Sequence, residues 1–152
     1  MNYALSEKKM SAPFKEVVFD AGVIIDLLLS GEDSRLFKNI LSNNIIPNAT
    51  TLAIIEAEYI LCRKLGKNIA FKKINNLLES NYIDIFPLEN IRREISILKC
   101  NVPIALPDCA TIALATKFKI PALFAKKERE MEKPLENNVF KIKIYFLENL
   151  NL

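Results

Sequence analysis

The chain has 152 residues, of which 51% are hydrophobic and 26% charged, with a formal net charge of +3. That length supports one domain with a real core, and the chain shows neither a Pro-, Gly- or Ser-rich linker nor an internal repeat. It contains no histidine, which excludes Ser-His-Asp and Cys-His catalysis and every His-ligated metal site, so acid–base or metal chemistry must rest on carboxylates, lysines or tyrosines.

Residues 1–13 are polar, lack the apolar core of a signal peptide and read as a loose start. Phe14 to Asp20 is a short apolar strand that ends in an acid. Gly22 to Leu29 follows as a helix closed by Ser30-Gly31. Glu32 to Ser42 reads as a second helix, with Leu36, Phe37, Ile40 and Leu41 at helical spacing. Ile45-Ile46-Pro47 is a short strand, and Asn48-Ala49-Thr50-Thr51 is a helix-start signal. The next helix runs from about Thr51 to Leu65, before Gly66. Ile69 to Ser80 is another, with Ile69, Ile74, Leu77 and Leu78 inward. Tyr82 to Pro87 reads as a strand and Leu88 to Cys100 as a helix. Pro107 to Lys119 is an Ala-rich helix, and Pro121 to Ala125 a strand. Lys126 to Glu132 is a short charged helix or loop. Val139 to Phe146 is a last strand at an edge. Strands alternate with helices, which predicts an α/β three-layer sandwich around a mainly parallel sheet of four to five strands.

Cys62, Cys100 and Cys109 have no metal-ligand spacing. Their odd number, without a secretory signal, predicts reduced thiols in a cytoplasm. No apolar run reaches about 18 residues, so no membrane span is expected.

Four acids stand in awkward places. Asp20 follows a buried strand, where open sheets carry their ligand sites; the plain alternative is that it caps the next helix. Glu56 shares a helix face with Leu52, Tyr59, Ile60 and Arg63, and an ion pair with Arg63 would account for it. Glu58, facing Ile54, Leu61, Cys62 and Leu65, is the second choice on that helix. Asp108 opens the Ala-rich helix behind Pro107, near the positive end of its dipole, where simple capping is the alternative. Glu128 follows the Pro121–Ala125 strand inside Lys126-Lys127-Glu128-Arg129-Glu130, which could equally be a solvated charge run. Gathered at one sheet edge, Asp20, Glu56, Asp108 and Glu128 would offer a hard cation such as Mg²⁺ or Mn²⁺ a set of oxygen ligands. With those acids set aside, the rest of the surface is more basic still, which favours a polyanion nearby. Cys109 reads as a small buried side chain, since no histidine exists to activate it.

The ordered set resembles a PIN domain, especially the archaeal and bacterial VapC-type toxins, over roughly residues 17–132. Asp20-Ala21-Gly22 matches the first element, Leu52 to Glu56 the second, and Asp108-Cys109-Ala110 through Ala115 the third. The fourth departs: the usual Thr-x-Asp falls on Phe124-Ala125-Lys126, and Glu128 lies two residues beyond. Either Glu128 completes the site or the site has three acids. Gly22 also lacks the hydroxyl often found after the first acid. The resemblance implies a Mg²⁺- or Mn²⁺-dependent ribonuclease for single-stranded RNA that leaves a 5′-phosphate and a 3′-hydroxyl. Asp20, Glu56 and Asp108 would hold the metal, with Glu128 acting directly or through water. It also implies a small antitoxin partner and a homodimer. Basic segments around residues 64–73 and 117–143 could hold the RNA backbone. The alternative is a degenerate PIN-like domain that binds RNA or protein without cutting. A haloacid-dehalogenase-type phosphotransferase would need a second Asp where Gly22 stands, and a receiver-type phosphoacceptor fits poorly.

Overall fold

The computed structural model describes residues 12–152, so most of the expected loose start lies outside the described residues. Among those residues, five strands form one sheet: β1 (Glu16–Phe19), β2 (Ile46–Thr50), β3 (Asp84–Phe86), β4 (Ala122–Phe124) and β5 (Ile144–Phe146). Their order is β3-β2-β1-β4-β5, and every pairing is parallel. Seven helices cover it: α1 (Ala21–Ser30), α2 (Arg35–Leu41), α3 (Thr51–Leu65), α4 (Lys67–Ser80), α5 (Arg92–Asn101), α6 (Leu106–Phe118) and α7 (Glu132–Glu136). This is the α/β three-layer sandwich expected.

The layers follow from the side chains of β1. Alternate residues of a strand point to opposite faces. Val17 and Phe19 join a core with α1, α2, α3 and α4. Val18 joins the other core, with Ile95 of α5, most of α6 and Met131. Val17, Val18 and Phe19 are all fully buried, as a central parallel strand requires. From β1 the chain winds to β2 and β3 on one side, then returns to β4 and β5 on the other. The direction therefore switches between β1 and β4, and a crevice opens there at the carboxyl ends of the strands.

Several boundaries differ from the sequence reading: β3 is shorter than Tyr82–Pro87, the helix expected from Leu88 begins at Arg92 after a 3₁₀ turn, Glu89–Ile91, and on α4 Ile69 and Leu78 are exposed, not inward. Strand β2 runs on to Thr50, so Asn48 and Ala49 are strand residues and not a helix start. Parallel pairing with β1 and β3 occupies their backbone. Asn48 is buried and donates its side-chain amide to the Val17 carbonyl, at 3.3 Å. Only Thr50 caps, accepting from the Ala53 amide at 3.1 Å. The expected helix from Glu32 divides into a 3₁₀ turn, Gly31–Asp33, and α2, because Ser34 caps the Phe37 amide at 2.9 Å. The last strand shrinks to Ile144–Phe146 at the sheet edge. The charged segment after β4 is a loop that enters a 3₁₀ turn, Arg129–Met131, and then α7, held down by buried Met131 and Pro134.

Candidate functional site

Asp20 stands at the switch point. Its backbone amide donates to the Leu123 carbonyl of β4 at 3.0 Å. Its side chain accepts from the Val23 amide at 3.0 Å and so caps α1. Capping and a place in the crevice are thus compatible. The residue keeps some surface, but its carboxyl is hemmed in by protein. Burial pushes that carboxyl from the ordinary 3.8 up to about 7. The amides of Val23 and Gly22 oppose the rise, while the charges of Asp108 and Glu56 add to it.

Glu56 lies in the middle of α3, half-buried beside the inward residues Ala53, Ile54 and Ala57. Burial raises its carboxyl above 4.5. The Arg63 guanidinium sits over the Tyr59 ring, 5.0 Å from its centroid, so that ring is a neighbour of the cation the sequence reading offered to Glu56.

Asp108 occupies the first turn of α6, directly after Pro107. From Cys109 to Ala115 every residue of α6 is buried, and the small Ala110, Ala113 and Ala115 let the helix lie close to its neighbours. Asp108 is fixed on a rigid element as a result. Burial raises its carboxyl from 3.8 to about 6, and the charges of Glu56, Glu128 and Glu130 contribute. Cys109 is buried, as expected, and burial raises its thiol.

The sequence-predicted acids therefore share one electrostatic neighbourhood. Asp20 feels Asp108 and Glu56, and Asp108 feels Glu56 and Glu128. Glu130 also raises Asp108, and sequence reasoning missed it: it sits two residues past Glu128 in the Arg129–Met131 turn, hidden in an alternation of charges. Among the described residues, no group of three or more acids is drawn together as a ready-made ion cage.

The Ala125–Glu128 loop is held at two points. The Glu148 amide donates to the Ala125 carbonyl, and the Lys127 amide donates to Glu148 Oε1, both at 3.1 Å. Glu148→Ala removes the second bond and is expected to cost about 1 kcal/mol, a fall in Tm of about 2–4 °C for a chain this size. Glu148→Gln keeps the acceptor and should restore most of it; thermal melts of both variants check this.

Gly22 explains the missing hydroxyl. A Cβ built there would stand 2.9 Å from Ala125 Cβ and 3.3 Å from Asp20 Oδ2. The first turn of α1 and the end of β4 meet only because that side chain is absent. Gly22→Ala should destabilise the fold by about 1–3 kcal/mol, the usual range for overpacking. A urea titration with an unchanged Cm would contradict it.

The basic segment 117–143 does not act as one patch. Lys119, Lys141 and Lys143 line a cleft of about 630 Å³ with Ile120, Pro121 and Ile142. Pro121 and Lys143 precede β4 and β5, so this cleft lies at the amino edge of the sheet, away from Asp20 and Asp108. Lys126, Lys127 and Arg129 follow β4 and remain at the carboxyl edge.

No family model matches the chain, and no curated protein sequence matches it. Solved structures do. A toxin–antitoxin complex from Klebsiella pneumoniae aligns with a TM-score of 0.53 at 16% identity, over 76% of this chain and 90% of that one. The sarcin-ricin-loop-cleaving toxin VapC20 of Mycobacterium tuberculosis aligns at 0.55 and 12%, over 70% and 86%. The VapBC2 complex of Rickettsia felis, bound to a promoter DNA fragment, aligns at 0.63 and 10%, over 86% and 98%. The parallel sheet, its strand order and its switch point define a PIN-type fold. Within that class, the chain has the fold of the VapC toxins.

Proposed function

We propose that this chain is a metal-dependent endoribonuclease that cuts single-stranded or loop RNA and serves as the toxin of a VapBC-type pair. The observation that carries the proposal is the pair Asp20 and Asp108, two partly buried carboxylates on rigid elements, each raised by burial, Asp20 further by the charges of Asp108 and Glu56 and Asp108 further by Glu56, Glu128 and Glu130. Buried charges of one sign are costly unless something compensates for them, and an all-oxygen donor set suits Mg²⁺ or Mn²⁺. Asp20, Glu56 and Asp108 would hold the ion, with Glu128 or Glu130 reached directly or through water. A divalent cation bound there would acidify a water and offset the charge of the scissile phosphate.

The chain's own residues supply the rest. The Val23 amide holds the Asp20 carboxylate in one orientation. The first turn of α6 presents Asp108 next to backbone amides that favour negative charge. A carboxylate not engaged by the ion can accept the proton of the attacking water, and in-line attack leaves a 5′-phosphate and a 3′-hydroxyl. Lys126, Lys127 and Arg129 stand at the same edge to engage the RNA backbone. A small antitoxin, a homodimer and a cytoplasmic setting belong to the same proposal. Among the described residues, no helix is long and apolar enough to cross a membrane.

Lys126, standing where PIN domains usually place their fourth acid, favours the second reading, a PIN-like module that binds RNA or protein without cutting. Cleavage of a labelled structured RNA with Mn²⁺, with Mg²⁺ and with EDTA separates the two, beside calorimetry of Mn²⁺. The nuclease reading expects metal-dependent cleavage and measurable Mn²⁺ binding. Neither effect would leave the binding module.

A further inference from the structure

A recess of about 240 Å³ lies between α3, α5 and the start of α6. Buried Ile95 forms its floor, and half-buried Leu52 and Leu88 form its walls. Leu106, 48% exposed, is its lip. Glu89 and Arg92 reach it from the exposed side. The recess opens on the same sheet edge as the acids. Leu52 lies one helical turn, about 6 Å, before Glu56 on α3, Leu106 is two residues before Asp108, and Leu88 lies just past the carboxyl end of β3.

The size is below that of a drug-sized ligand site and suits one flat ring system between apolar walls. A phosphate is a poor occupant, because Glu89 would repel it. A nucleobase edge suits both charges, since an arginine fork donates to ring acceptors and a carboxylate accepts from ring or exocyclic N–H groups. Guanine is the base that answers both at once, with O6 and N7 for Arg92 and its N1 and N2 hydrogens for Glu89. Unpaired bases are read in this way, held between side chains and hydrogen-bonded at their edges.

We infer that the Leu52–Leu88–Leu106 recess binds an unpaired guanine of the RNA, next to the bond that is cut; this rests on the RNA reading of the acidic site. The recess makes the protein guanine-selective at one position of a single-stranded substrate.

The test has two arms. Labelled single-stranded 10-mers carrying one guanine or one adenine in an otherwise uridine strand are titrated into the full chain with EDTA, followed by fluorescence anisotropy. The same protein with Mn²⁺ then cuts a random-sequence RNA pool, and the new ends are sequenced. Wild type should bind the guanine strand about tenfold more tightly, and one position beside the cut should be enriched in guanine. Arg92→Ala and Glu89→Gln, both at exposed positions, should each lower the guanine-to-adenine ratio at least fivefold. That ratio is measured within one protein, so a general loss of activity does not imitate it. Guanine-selective binding without cleavage would leave the recess standing and overturn the nuclease reading. Cleavage with no guanine preference, or with a preference that both variants preserve, would overturn the recess alone. A dimer broken by Leu106→Asp, with no base preference in the wild type, would give the recess to a second copy of the chain and overturn it too.

Discussion

Asp20→Asn and Asp108→Asn should each abolish metal-dependent RNA cleavage, by at least about a hundredfold, and at the same time raise the melting temperature of the metal-free protein above pH 7. The two effects share one origin. Each carboxyl is raised by burial, and neighbouring acids add to the rise. Its negative charge attracts a cation and strains a fold that lacks one. Asparagine removes the charge and keeps the shape. At Asp20 it also keeps the cap on α1, because its side-chain oxygen can still accept from the Val23 amide, and Asn caps helices as well as Asp does. A stabilisation of about 1–3 kcal/mol is expected, or about 2–4 °C in Tm for each kcal/mol. Cleavage assays and melts on the same preparations check both. Variants that lose activity by losing stability would contradict the account.

The stability of the metal-free protein should fall as the pH rises from about 4 to about 7. Asp20 has a folded pKa of about 7 and Asp108 of about 6, against an ordinary value of 3.8 for each. Between those limits the folded chain binds more protons than the unfolded chain. Stability rises with pH only where the unfolded state binds more, so here it falls. The slope is spent once the pH passes about 7, where both carboxylates are ionised in both states. Taken at 1.36 kcal/mol per pH unit, the Asp20 rise alone corresponds to about 4 kcal/mol, an upper figure, since the acids are coupled to one another. Most proteins rich in paired carboxylates lose stability in acid, so the opposite trend over pH 5–7 is diagnostic. Urea denaturation at pH 5.0, 6.0 and 7.5 measures it. A saturating divalent cation should flatten the trend by keeping the acids ionised. A curve that rises from pH 5 to 7 without metal would contradict the assigned burial.

Much of this was legible in the sequence because two patterns were undiluted. The run Val17-Val18-Phe19 is apolar on both strand faces, which only a covered strand tolerates, and it placed Asp20 at the rim. The sequence Pro107-Asp108 followed by small residues placed Asp108 at the start of a buried helix. Other features were hidden for physical reasons. Asn48 and Thr50 carry side chains that favour caps, and only tertiary pairing with β1 and β3 makes them strand residues. Glu130 looked like its solvated neighbours, because its relation to Asp108 depends on how the Arg129–Met131 turn folds back. Glu56 was preferred to Glu58 on the order of motifs, and burial does not separate them, since both are half-buried although a difference of two residues turns a side chain by about 200° around the axis. The basic run 117–143 misled most, because a sheet strand in its middle carries its lysines to opposite edges.

That division of charge gives an RNA two places to land: the lysine cleft at the amino edge, remote from the acids, and Lys126, Lys127 and Arg129 beside them. A strand held at the first is out of reach of the acids, so the cleft competes with the productive encounter instead of serving it. Both attractions lie on exposed charge and weaken together as salt rises.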